Sequence, residues 1–112
     1  MLVELCQVQS IPEGASRSFE LKQSALFAVK KREQIFLYRN RCPHMHVPLN
    51  WEPDKFLNNS GDLIQCSTHG ALFNIESGEC LQGPCLGQSL QSIDYEIKAG
   101  NIYINETDLE TQ

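Results

Sequence analysis

Two short clusters of metal-binding side chains constrain this chain more than any other feature: Cys42-Pro43-His44 and Cys66-Ser67-Thr68-His69. Each offers one thiolate and one imidazole, the groups that bind zinc, iron and other borderline metals directly. Together they supply four ligands, enough to close a metal site with no open position. Pro43, Pro48 and Gly70 bound the two pairs, so each falls in a loop between elements. The fold must therefore bring two loops together across the spacer of residues 45–65. From the residues alone three readings stand: chance scatter, a structural Cys2His2 zinc site, and an iron–sulfur centre held by mixed ligands.

Order, spacing and flanks together narrow this. The Cys-x-His and Cys-x-x-His pairs are followed by Pro48-Leu49 and by Gly70-Ala71-Leu72-Phe73, and a later Gly83-Pro84 completes the set. This pattern resembles the Rieske iron–sulfur family over nearly the whole chain. The resemblance implies a [2Fe-2S] cluster with Cys42 and Cys66 on one iron and His44 and His69 on the other. It implies an all-β fold of Rieske type, in which antiparallel sheets form a base. A smaller cluster-binding part, about residues 42–87, is inserted between the base strands, and Gly83-Pro84 lies in a loop over the cluster. It also implies a stand-alone ferredoxin, which carries single electrons from a flavin-containing reductase to a terminal oxygenase or similar enzyme. The spacer is somewhat longer than in such ferredoxins, and the excess is assigned to a loop at residues 50–61. Two other functions remain open: a small Rieske-fold subunit of a larger oxidoreductase, such as a nitrite-reductase-type complex, and the zinc module.

The resemblance also bears on redox potential. In the high-potential Rieske proteins of respiratory cytochrome bc complexes, a Ser and a Tyr after the second ligand His donate hydroxyl hydrogen bonds to the cluster, and a disulfide staples the two ligand loops. The matching positions here are Ala71 and Phe73, and Val47 and Thr68, so hydroxyls and staple are both missing. A potential near the bottom of the family range of roughly −150 to +300 mV is expected.

Composition sets the remaining bounds. The chain has 112 residues, which fits one domain able to bury a core without disulfides. No run approaches the roughly 20 apolar residues of a membrane helix. The start, Met1-Leu2-Val3-Glu4-Leu5-Cys6, lacks the basic and apolar regions of a signal peptide. A cytoplasmic monomer with no membrane association is expected. The net charge of −5 argues against nucleic acid and is compatible with docking on a basic protein patch. Of 5 Cys, two are assigned as ligands. Free thiols are expected for Cys6, Cys80 and Cys85, with a Cys80–Cys85 disulfide as the alternative. The chain has 3 His; with two on the cluster, the two-His, one-carboxylate iron site of an oxygenase cannot be built. The expected role is therefore electron carriage rather than catalysis. His46 is taken as an exposed loop residue.

Apolar alternation and turn residues place strands at residues 3–9, 16–22, 25–30, 34–39, 63–65, 71–74, 90–98 and 102–105. Ala99-Gly100-Asn101 reads as a hairpin turn. Residues 79–87 read as the loop over the cluster and 106–112 as a frayed acidic tail. A helix over residues 52–57 is too short to stand alone.

Overall fold

The computed structural model describes the chain except residues 22, 23, 44–46, 51, 53, 68, 69, 111 and 112. Among the described residues nine strands form three antiparallel three-stranded sheets. The base sheet orders β1 (Leu2–Gln7), β9 (Asn101–Asn105) and β8 (Glu96–Lys98). The central sheet is the meander β2 (Ser16–Leu21), β3 (Ser24–Lys31) and β4 (Gln34–Arg39). The third is the meander β5 (Leu63–Gln65), β6 (Leu72–Asn74) and β7 (Cys80–Gln82), inserted in sequence between β4 and β8. This is the expected base with an insertion.

The central sheet works because β3 is apolar on both faces. Leu26, Phe27, Ala28 and Val29 are successive and all buried. Neighbouring side chains on a strand point to opposite faces, so the run feeds two cores. Leu26 and Ala28, with Ile35 and Leu37 of β4, pack with Ile102 and Ile104 of β9 in the base. Phe27 and Val29, with Tyr38, pack with Ile64 and Phe73 of the inserted sheet. The imperfect alternation of β1 has a local cause: its register on β9 shifts between Glu4 and Cys6, and a bulge of this kind interrupts the two-residue period.

Two hairpin turns have every central residue at positive φ: Arg32 (53°) with Glu33 (64°), and Ala99 (51°) with Gly100 (81°). This handedness matches the twist of the strands joined, but it strains Arg32 and Glu33, which are not glycine. Their backbone N–H groups donate to the Glu13 carboxylate at 2.6 and 2.9 Å, which holds the turn.

Three expectations need correction. The strand expected at residues 90–98 is split. Its first part runs beside β4, with Ile93 N–H on the Leu37 carbonyl (3.0 Å) and a bridge between Tyr38 and Ser92; only Glu96–Lys98 joins the base sheet. The chain changes sheets between the two, and alternation does not register such a switch. The loop expected at residues 79–87 contains β7 in its first part. The tail, expected to fray, forms helix α1 (Glu106–Glu110). Leu109 is buried in the base core, and the carbonyls of Asp108 and Leu109 accept hydrogen bonds from Arg39 and Ser24. Those anchors lie far away in sequence, so a local reading of polarity misses them. Residues 52–57 hold no helix among the described positions.

Candidate metal centre

The two cysteine loops are built alike. In the first, the Cys42 N–H donates to the Val47 carbonyl at 2.8 Å; in the second, the Cys66 N–H donates to the Ala71 carbonyl at 2.9 Å. Each cysteine thus sits at the root of a loop closed by its own backbone. Gly70, at φ 69°, lets the second loop turn back, and its N–H bonds the Cys66 carbonyl at 2.8 Å. The loops are joined to each other, with the Ser67 N–H on the Leu49 carbonyl at 2.7 Å.

Asn40, at the exit of β4, braces the first loop. Its Oδ1 accepts the Leu49 N–H at 2.8 Å and its Nδ2 donates to Asn50 Oδ1 at 2.8 Å. The polar segment that follows is pinned to β2 and β3. The Asp54 carboxylate accepts from the Ser18 N–H and hydroxyl (2.6 and 2.9 Å), and Phe56 stacks on Phe27 with ring centroids 4.3 Å apart. The expected excess loop at residues 50–61 is therefore packed into the core along part of its length, which its polarity concealed.

The loop at residues 79–87 touches the second cysteine loop. Gly83, at φ 113°, rests on Ala71: a Cβ at Gly83 would lie 2.8 Å from the Ala71 Cα, so this position excludes any side chain. Within this loop Cys80 and Cys85 are both buried, with Sγ atoms 3.1 Å apart. Burial, the hydrogen bond to Cys80 and the nearby Cys80 and Cys42 push the Cys85 thiol up to about 12.

Of the four expected ligands, Cys42 and Cys66 are placed, at 2 % and 0 % exposure in one core cluster. His44 and His69 lie outside the described residues, as do His46 and Thr68. Both thiols are buried at the roots of loops that are bonded to each other, so the placed half of the donor set fits a metal centre. Sequence reasoning missed the Asn40 brace, for which an Asn ending a strand just before a Cys loop was a signal. It raised a Cys80–Cys85 pairing only as the alternative to free thiols; in the structure the two sulfurs meet as free thiols.

The profile of the Rieske [2Fe-2S] domain matches residues 1–99. The chain belongs to the Rieske [2Fe-2S] domain family. Its cofactor is accordingly a Rieske-type [2Fe-2S] cluster, and the zinc reading falls. The chain is 29% identical over 100 residues to apoptosis-inducing factor 3 of Homo sapiens, covering 89% of this chain but 16% of that protein. It therefore spans only a small part of that relative's length. It is 26% identical over 102 residues to the ferredoxin component of the alkene monooxygenase system of Xanthobacter autotrophicus (strain ATCC BAA-1158 / Py2), covering 91% of this chain and 79% of that one. The solved complex of reduced oxygenase and oxidized ferredoxin in carbazole 1,9a-dioxygenase contains a chain of the same fold: TM-score 0.71, 23% identity, coverage of 92% and 91%.

Proposed function

We propose that this Rieske protein is a one-electron carrier that delivers electrons from a flavin-containing reductase to a terminal oxygenase or similar oxidoreductase. The observation that carries the reading is the pair of matched, cross-bonded loops rooted at the buried Cys42 and Cys66, within a chain whose family is defined by its cluster. A relative spanning most of its own length is named as the ferredoxin component of a monooxygenase system. We assign His44 and His69 as the imidazole ligands, from the spacing of the two pairs. When bound, a Rieske cluster takes up and returns one electron.

The chain's own residues supply the setting. The twin backbone closures and the Asn40 brace position the two cysteines. Gly83 on Ala71 seals one side of the second loop. Having 3 His, the chain has too few to add an oxygenase iron site beside the cluster, so the chemistry on substrate belongs to a partner. We take the chain as one domain with residues 42–87 as its cluster-binding part. We place it in the cytoplasm as a monomer: among the described residues no helix is long and apolar enough to cross a membrane, and no disulfide joins its cysteines.

Protein-film voltammetry tests this reading. Ala71 and Phe73 are 1% and 0% exposed beside Cys66 in the cluster-side core, and neither has a hydroxyl to offer. Hydrogen bonds to cluster sulfur raise the potential of such centres. The expected result is a reversible one-electron couple near the bottom of the family range, raised by the double change Ala71→Ser with Phe73→Tyr. A couple near the top of that range, or no couple in protein that holds iron, would contradict the reading.

A further inference from the structure

Cys80 and Cys85 lie outside the proposed ligand set. Both are buried, at 2 % and 1 % exposure. The Cys85 thiol donates to Cys80 Sγ at 3.1 Å, and the Cys80 thiol to the Gln82 carbonyl at 3.4 Å. A disulfide requires the two sulfurs to close to about 2.0 Å, so they must approach by roughly 1 Å. The backbone already holds the loop in shape without that bond. The Cys80 N–H bonds the Gln88 carbonyl at 2.9 Å, the Gln88 N–H bonds the Cys85 carbonyl at 2.9 Å, and the Leu86 N–H bonds the Gly83 carbonyl at 3.2 Å.

We propose that Cys80 and Cys85 are a reversible dithiol–disulfide couple, oxidised by low-molecular-weight disulfides and seated within the loop that touches the second cysteine loop. The reaction balances with such a disulfide as oxidant. A thiolate of the pair attacks one sulfur of the external disulfide, whose S–S bond breaks, and one external thiol leaves with a proton. The second cysteine of the pair then displaces the other external thiol from the mixed disulfide. The protein has lost two hydrogens, the external disulfide has gained them, and the Cys80–Cys85 bond has formed. The cluster carries one electron and is not needed to balance this two-electron step.

Access comes from the surroundings of the pair. The residues between and after the two cysteines are exposed, Leu81 by 45% and Leu86 by 66%, so opening this one loop uncovers both sulfurs. Closure returns them to the core, where a formed bond is shielded from reductants. Gly83 sits between the two cysteines in sequence and rests on Ala71, whose carbonyl holds the Cys66 N–H. The state of the couple therefore bears directly on the backbone of the second cysteine loop.

The couple can be tested whether or not the cluster reading holds, because the readout is the sulfur–sulfur bond. Whole protein is equilibrated anaerobically in buffers of graded reduced and oxidised glutathione. It is then trapped with N-ethylmaleimide in denaturant, digested and mapped by mass spectrometry. The expected product is a peptide pair joined at Cys80–Cys85 and lighter by two hydrogens. The ratio of this disulfide to the dithiol should rise in proportion to oxidised glutathione and fall with the square of reduced glutathione, and dithiothreitol should reverse it. In Cys85→Ser, Cys80 should appear only as free thiol or single glutathione adduct. Recovery of both cysteines as maleimide adducts at every ratio would overturn the proposal. So would separate glutathione adducts on each, or a Cys80 link to another cysteine in Cys85→Ser.

Discussion

The two faces of β3 lead into two differently made halves. On one side Leu26 and Ala28 enter a core of Ile11, Ile35, Leu37, Ile93, Ile102, Ile104 and Leu109, without a buried aromatic or buried cysteine among its described members. Its sheet includes a five- and a six-residue strand, β9 and β1. On the other side Phe27 and Val29 enter a core with Phe56, Phe73 and Tyr38 and with Cys42, Cys66, Cys80 and Cys85. The strands there have 3 residues each, and much of the order comes from loop closures and side-chain braces. The base is thus a self-sufficient hydrophobic core. The other half spends its interior on thiols and short strands, and the proposed cluster would tie its loops together, as metals do in small metal-binding units.

Removal of the cluster is the largest test of that contrast. After anaerobic chelation, hydrogen exchange should accelerate steeply in β5, β6 and β7 and in both cysteine loops, while β9 keeps its protection. Equal loss in both halves would show one cooperative core and end the comparison.

Adjacent residues of β3 offer a finer test. Phe27→Ala removes the ring stacked on Phe56 and should cost about 3–5 kcal/mol, with a fall in bound iron per folded molecule. Leu26→Ala should cost about 2–5 kcal/mol with the cluster's visible spectrum unchanged, because Leu26 faces the base core. Urea titrations followed by circular dichroism and by cluster absorbance separate the two effects.

How far each half was legible in sequence follows from the same contrast. The base and central strands announced themselves by period: Gln34–Arg39 was placed to the residue, and the Ala99-Gly100 turn by its glycine. So was Leu63–Gln65, helped by the cysteine it precedes. What escaped depends on contacts distant in sequence. α1 is held by Ser24 and Arg39, the polar 50–61 segment by Ser18 and Phe27, and β7 pairs with β6 across a register shift. At the site, spacing alone pointed to Cys42 and Cys66. It could not show that the loops carry matching backbone closures, or that Cys80 and Cys85 meet.

The smallest expected effect concerns the β3–β4 hairpin of the central sheet. The N–H groups of Glu33 and Arg32 on its carboxylate hold the Glu13 pKa below its ordinary value of 4.5. A depressed folded pKa means that the ionised form stabilises the fold. The contribution is complete above about pH 4.5 and is lost as the pH falls through the lower folded value. Glu13→Gln should therefore cost a little stability near neutral pH and progressively less towards acid, with no change in the cluster signal. Thermal unfolding of both proteins between neutral and acid pH checks this. A constant difference would assign the role of Glu13 to packing rather than to charge.

The central claim is that Cys42, His44, Cys66 and His69 hold a mixed-ligand cluster. Pulsed electron paramagnetic resonance on the reduced protein, grown with ¹⁵N-histidine, tests it most directly. The account predicts couplings to two imidazole nitrogens, lost together with the cluster in His44→Ala and in His69→Ala and intact in His46→Ala. A reduced cluster without imidazole coupling, or a cluster lost in His46→Ala and kept in His44→Ala, would contradict it.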